Sequence, residues 1–392
     1  MVFIVGVTIT TLTGENGIIQ RAVEASEETE KAEKIEQNTL NSYEDTINEY
    51  MGIDWDTVLA NAEKHPNQET STAIGVGTDG RPVNMDLWEY TKLDDGTYAL
   101  NSEETLAESD TRTAGYTGNI IDGKIEGTIP QYIKDESDNN FIEVTNLESL
   151  FYYYTNLIEA PVIPTTVTNM SRTFAQCSSL TKAPVIPNGV TNMYGTFAQC
   201  SSLMEPPEIP ITVTSMSKTF LDCTLLKEAP IIPSSVIDLS ATFQNCSQLA
   251  NPPEIPMGVV NMESTFRLCS SLVTVPTIPN TVKNLAFTFD QCYSLENVTL
   301  TIFNVVENME YMFSSCHKLS GKITIYANIS NIENEQYIFS NANLKDYTTE
   351  ELEVLCPGEV YNKYYDESKA NKLNVDIFGE NSNNIKLTKL QE

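Results

Sequence analysis

The sequence predicts a repeat solenoid of short parallel strands joined by turns or single helical turns, with an N-terminal α-helix and a small β cap. Two observations predict it. Phenylalanine returns every 23 residues at Phe151, Phe174, Phe197, Phe220, Phe243, Phe266 and Phe289, then at Phe313 and in a looser copy at Phe339. Other residues keep step with it: a Val seven before, a Met or Leu four before and a Leu six after. A Cys stands three after, at Cys177, Cys200, Cys223, Cys246, Cys269, Cys292 and Cys316. A unit of this length cannot bury its own apolar face and needs neighbours stacked on it. Stacked strands lie about 4.8 Å apart, so like side chains are expected to form ladders in a long, continuous core.

The expected organisation is an apolar start and helical stalk over 1–52, and a short helix and β-rich N-terminal cap over 53–127. A solenoid of about nine coils follows over 128–344, then a C-terminal cap and loose tail over 345–392. The first ten residues are apolar but fall short of the roughly 20 that cross a bilayer as a helix. From Ile18 the chain is rich in Glu, Lys and Ala, with Glu27/Lys31 and Glu30/Lys34 spaced for i,i+4 pairing, and this predicts an exposed helix to about Gly52. Asp54 reads as the N-cap of a short helix over Trp55–Lys64. From Ala73 the turn pairs Asp79-Gly80, Asp95-Gly96 and Asp122-Gly123 separate short apolar runs, the texture of strands. An array end needs such a cap so that its first coil does not expose its core. Residues 359–370 read as a helix, 373–378 as a strand, and the polar residues 379–392 as loose.

Within one copy, Val190-Thr-Asn-Met193 reads as a short strand or bend with Val and Met inward, and Thr196–Cys200 as a turn that drops Phe197 and Cys200 into the interior. Seven of the eight cysteines share one column. Their regularity predicts buried free thiols filling a small slot, with disulfides between adjacent coils as the alternative. No Cys or His spacing supports a metal, and no cofactor motif is present.

The pattern V-x-N-M-x-x-T-F-x-x-C-x-S-L-x-x-x-P-x-I-P, carried through eight linked copies over roughly 126–344, resembles the BspA-type leucine-rich repeats of bacterial surface proteins. The resemblance implies a solenoid displayed outside the cell that binds host or bacterial macromolecules. One departure is the pair of prolines in six copies, Pro161/Pro164 through Pro276/Pro279, where the family often has a strand. Proline donates no N–H to a ladder, so this side is expected to be extended but poorly paired, with better pairing through Val-x-Asn-Met. The stretches Gly6-Val-Thr-Ile9 and Gly14-Glu-Asn-Gly-Ile18 resemble the pilin-like N-terminal segment of Firmicute surface proteins. In that family a basic leader and more of the hydrophobic helix come first, so membrane attachment is expected only through an upstream anchor.

A net charge of −31 argues against nucleic acid, which needs clustered Lys and Arg. The only two histidines, His65 and His317, lie in different regions. The recurring Ser, Thr and Cys recur because the coil does, so no catalytic residue is assigned. Asn146, Asn169, Asn192, Asn261, Asn284 and Asn308 form one polar column and Thr173 through Thr288 another. Both flank core positions, where hydrogen bonding to neighbouring backbone is the expected use. Function is sought where copies differ. Tyr152, Tyr153, Tyr194, Phe287 and Tyr311 are expected to face solvent as binding anchors. The leading reading is a non-catalytic surface binding or adhesion protein with a protein or glycan ligand, extracellular or at the cell surface. The alternatives are a minor pilus-like subunit and an intracellular scaffold, and the oligomeric state is left open.

Overall fold

The computed structural model describes residues 75–78, 80, 82–100, 116–135, 140–326, 337–342, 351–366, 373–374, 378 and 384–390. The expected stalk over 1–52, the helix over 55–64 and the loop over 101–113 lie outside these residues.

The described chain opens with short strands β1 (Gly75–Gly77), β2 (Pro82–Val83), β3 (Thr91–Lys92) and β4 (Tyr98–Ala99), a hairpin β5 (Ile120–Ile121) and β6 (Lys124–Ile125), then β7 (Pro130–Lys134) and β8 (Phe141–Asn146). Six of them form one sheet in the order β2-β1-β7-β8-β4-β3. Asp135, just after β7, is buried and pairs with Lys92. The last residue of β8, Asn146, bridges to Asn169 and so hands the backbone ladder to the first coil. Trp88 and Tyr116 pack on Phe151 at 6.5 and 5.9 Å between ring centroids, covering the end of the phenylalanine column.

The coil has a full backbone account. From Met170 to Cys177 every second N–H points up the axis to the next coil: Met170 to Asn192 O at 2.9 Å, Arg172 to Tyr194 O at 2.8 Å, Phe174 to Thr196 O at 2.9 Å and Gln176 to Ala198 O at 2.7 Å. The N–H groups between them close local turns, Thr173 to Met170 O, Ala175 to Arg172 O and Cys177 to Phe174 O. The remaining N–H, on Ser171, donates to Asn169 Oδ1 at 2.9 Å. Buried N–H groups must all find such partners.

This alternation needs left-handed backbone two residues before and two after each Phe, as at Arg172 (φ 51°), Gln176 (63°), Lys218 (57°) and Asp222 (59°). An L-residue there costs roughly 1–2 kcal/mol, and the axial hydrogen bonds hold it in place. The coils therefore pair through turns and single parallel bridges along Asn146, Asn169, Asn192, Ser215, Asp238, Asn261, Asn284 and Asn308 rather than through strands.

The side chains complete the ladder. Phe174 stacks on Phe197 at 5.7 Å with planes 1° apart, and the column keeps that geometry to Phe339. Aromatic pairs of this kind add about 0.5–1.5 kcal/mol beyond burial. Thr196 Oγ1 donates to Met170 O at 2.9 Å and Cys200 Sγ to Phe174 O at 3.1 Å, each reaching back one coil. The same two bonds recur along the array, for example from Thr265 to Leu239 O and Cys269 to Phe243 O. The thiol is thus a donor that fills a carbonyl's second lone pair, besides filling a slot. All eight cysteines are free and buried.

On the other side of the coil the second proline starts a turn, its carbonyl accepting from the Val three residues on, as Val190 N–H to Pro187 O at 3.0 Å. Pairing there is sparse: Lys182 bridges Glu159 and Glu205. Where the prolines stop, strands begin. The segment β9 (Val298–Ile302) occupies the place held by Ala-Pro-Val-Ile-Pro in earlier coils and pairs in parallel with β10 (Gly321–Ile325). β11 (Leu352–Cys356) and β12 (Ile385–Lys389) extend this sheet to the order β12-β11-β10-β9. Gly321, at φ 104°, opens β10 where an added Cβ would strike the Val298 backbone.

The C-terminal end departs from expectation in two ways. Residues 379–392, expected to be loose, include β12, because Ile385 is buried and Leu387 packs on the core while Lys386 and Thr388 alternate with them. Overall polarity hid this two-residue period. Phe378, assigned to a strand, instead stacks on Phe339 at 5.4 Å and meets Tyr364 edge-on at 5.7 Å. Tyr364 ends the helix α1 (Gly358–Tyr364), shorter than the 359–370 expected.

Phe220→Ala in mid-array should lower stability by about 3–5 kcal/mol in urea unfolding, with Lys218→Ala within about 0.5 kcal/mol of the parent. Ser217 is a poorer control than its sequence position suggests, since it is buried and accepts from Ser240 Oγ. Ser264→Gly, at φ 55°, should raise the unfolding midpoint, with a net gain of up to about 1 kcal/mol after glycine's entropic cost.

Candidate binding surface

The residues that vary between coils sit beside the Phe column, and the structure sorts the five candidate aromatics into two groups. Near the start of the array, Tyr153 is exposed at 45 % and lies 6.5 Å from Tyr152, whose Oη accepts from Gln176 Nε2 at 2.8 Å. Two coils further on, Tyr194 has the Arg172 guanidinium 5.4 Å and the Lys218 ammonium 5.5 Å from its ring centroid. Hydrogen bonding from Lys218, and less so from Arg172, holds the Tyr194 phenol below its ordinary value against the opposing effect of burial.

Four coils beyond Tyr194, Phe287 stacks on Tyr311 at 5.1 Å, and Tyr311 stacks on Tyr337 at 5.2 Å. Arg267 lies 5.3 Å from the Phe287 ring centroid and donates to the nearly buried Asp290 at 3.0 Å. Burial pushes the Tyr311 phenol up. All three rings sit on left-handed backbone, at φ 55°, 53° and 57°. The repeat imposes this conformation at the same position of every coil, as at Arg172, Lys218 and Ser264, and here large aromatic residues occupy it.

Tyr194, Phe287 and Tyr311 are half-buried rather than free-standing in solvent: the coil spacing stacks Phe287 and Tyr311 on rings at equivalent positions, and Tyr194 lies between two cations of adjacent coils. Arg172, Lys218, Arg267 and Tyr337 escaped the sequence reading, although each is two before or one after its Phe.

A second surface lies on the proline side. Val162, Val185, Ile211, Ile231 and Met257 are exposed, Val185 at 88 % and Ile231 at 90 %. The cause is local. In β9 the two-residue alternation buries Leu300, whereas in the equivalent Pro184-Val-Ile-Pro187 stretch Ile186 turns inward and Val185 outward. A groove of about 440 Å³ opens here, lined by Val185, Pro207 and Ile211 with Glu205 and Glu208 beside them.

The polar columns are occupied by the backbone. Thr173, Thr196, Thr219, Thr242, Thr265 and Thr288 are fully buried and each bonds a carbonyl one coil back. Asn192, Asn261, Asn284 and Asn308 accept from the N–H two residues on, with Ser215 and Asp238 serving where Asn is replaced. His317 is half-buried against Tyr293 at 5.2 Å, and burial lowers its affinity for a proton. His65 lies outside the described residues. Among the described residues no group of three or more His, Cys, Asp or Glu could hold a metal, and no helix is long and apolar enough to cross a membrane.

A family model of BspA-type leucine-rich repeat regions matches residues 145–256 and 240–356 in six copies, more than half of the chain. The chain belongs to the BspA-type leucine-rich repeat family. Its BspA-type coils are similar to three solved bacterial structures. The leucine-rich repeat protein of T. pallidum is 21 % identical with a TM-score of 0.40, covering 55 % of this chain and 90 % of that one. A leucine-rich repeat protein from Bacteroides ovatus is 16 % identical with a TM-score of 0.30, covering 79 % and 99 %. A leucine-rich cell surface protein from Faecalibacterium prausnitzii is 16 % identical with a TM-score of 0.35, covering 78 % and 94 %. No curated protein sequence matches this BspA-type chain.

The thiol column of these BspA-type repeats gives a chemical test. Burial pushes Cys177 and Cys269 up to about 12 and raises the other ladder thiols as well, outweighing the hydrogen bonds that lower them. Such thiols are poor nucleophiles, so a disulfide reagent should label none of the eight in the native chain and all eight after unfolding. Because the folded values exceed the ordinary 9.0, the native chain holds these protons longer than the unfolded one. Thermal stability should therefore be whole below pH 9 and fall as pH rises from 9 toward 12.

Proposed function

We propose that the chain is a non-catalytic binding protein of the bacterial cell surface whose solenoid presents its aromatic column to a protein or glycan ligand. The observation that carries this reading is the contrast between columns. Phe, Val, Met or Leu, Thr and Cys hardly change from coil to coil and are spent on the core and the ladder. The positions flanking the Phe on the outer edge change freely, and there Tyr153, Tyr194, Phe287 and Tyr311 gather into two groups. Aromatic side chains with a cation alongside are the usual anchors of macromolecular interfaces. Family membership supports the same reading, since BspA-type repeats are surface-associated binding modules. The expected division into stalk, cap, solenoid and C-terminal cap fits a body held outward by its N-terminal segment.

The test is expression in the native host from the intact gene with its own upstream sequence. The protein should be labelled by an impermeant biotin reagent on whole cells, and the Tyr153→Ala/Tyr194→Ala and Phe287→Ala/Tyr311→Ala variants should each lower attachment to host or neighbouring bacterial cells several-fold. Protein confined to the cytosolic fraction would overturn the reading.

A further inference from the structure

We propose that Arg172, Tyr194 and Lys218 form a site for the carboxylate or sulfate group of an acidic glycan. The inference rests on the surface-binding reading only in placing its ligand among macromolecules outside the cell. It begins from charge. The chain carries 54 acidic residues against 23 basic ones, and some of its cations have acidic partners, Lys124 with Glu159, Arg267 with Asp290 and Lys283 with Glu307, while Lys182, Lys227 and Lys318 have none among the described residues. Arg172 and Lys218 have no carboxylate partner among the described residues. Both lie instead beside the same tyrosine ring.

The two groups of aromatics make the contrast internal. At Phe287 a cation also sits beside a ring, but Asp290, one coil above Arg267 in the same column, neutralises it. One coil above Arg172 in its own column is Gly195, and one coil above that is Lys218. Gly195, at φ 59°, meets only Arg172 Cγ at 3.5 Å and Ala198 Cβ at 3.9 Å where a Cβ would stand. The column thus reads cation, glycine, cation, with the two cations exposed, Gly195 buried between them and the Tyr194 ring alongside. The neighbouring column one after each Phe supplies Ala175, Ala198 and Leu221, none of them charged.

An anion approaching this edge meets a guanidinium fork, which matches two oxygens of a carboxylate or sulfate. It also meets an ammonium, and both cations lie beside the Tyr194 ring. The surroundings select the rest of the ligand. A polyphosphate would face the repulsion of a chain at −31, whereas a sugar polymer with isolated acidic groups brings little charge beyond the two cations. Gln199 is exposed in the coil of Tyr194, and the Tyr153 ring is exposed one coil below Arg172. A hydroxyl-rich chain can use both, the amide for hydrogen bonds and the ring face for sugar C–H groups.

The experiment titrates the purified full chain by calorimetry with three oligosaccharides of matched length: one sulfated, one bearing uronate groups and one neutral glucan. Binding of the sulfated sugar, the uronate sugar or both is expected, weakening at higher salt, with no binding of the neutral one. The Arg172→Gln/Lys218→Gln variant should lose at least tenfold in affinity while its unfolding midpoint stays at the parent's value. Lys283→Gln, a cation already paired elsewhere, should bind as the parent does. Equal binding of the neutral glucan, retained affinity in the double variant, or no binding of either acidic sugar would overturn the inference. In that last case, continued loss of cell attachment in the Tyr153→Ala/Tyr194→Ala variant would leave the surface-binding reading standing by itself.

Discussion

The constraint beneath everything else is that a coil cannot satisfy its own backbone. Alternate N–H groups around each Phe point along the axis, and their only partners are carbonyls of the coil above. A single coil would leave these groups to water and expose its Phe, so the array stands or falls as a set of nearest-neighbour contacts. The two ends follow from the same constraint. At the N-terminal end a β-sheet supplies the first partner through Asn146, and Trp88 with Tyr116 covers the first ring. At the C-terminal end Phe378 and Tyr364 cover the last.

The proline side shows how much one missing N–H changes. Six coils carry the proline pair and share little pairing on that side, while the coils that lack it build a four-stranded parallel sheet in the same place. Sparse pairing and outward apolar side chains are one effect seen twice. Removing the regular strand removes the alternation that would have buried Val185 as it buries Leu300. The exposed carboxylates of Glu205 and Glu208 border this surface.

Much of the core could be read directly from the letters, because a fixed period places like on like whatever the local backbone does. The Phe, Val, Met and Leu columns needed nothing more. The Thr column's use on neighbouring backbone was legible too, but the donor role of Cys200 did not show, since it depends on reaching a carbonyl 26 residues back, a relation that exists only once the turn conformation is known. Phe378 was missed because the longer interval after Phe339 breaks the count. In the candidate site the tyrosines were visible as departures from the repeat. Their cationic neighbours were not, because Arg172 and Tyr194 occupy different columns and adjoin only when coils stack. Regularity made the scaffold legible and hid the site in the small exceptions to it.

The near-constant ring spacing of the phenylalanine column has a last consequence. Successive coils advance by similar steps, 5.7 Å from Phe174 to Phe197 and 5.8 Å from Phe220 to Phe243. The group around Tyr194 and the group around Phe287 are therefore held apart by whole steps of a ruler. A duplication or deletion of one unit in the middle would move the two groups by a single graduation, with every remaining contact re-formed as before. The distance between the two aromatic groups can thus change without any alteration within either.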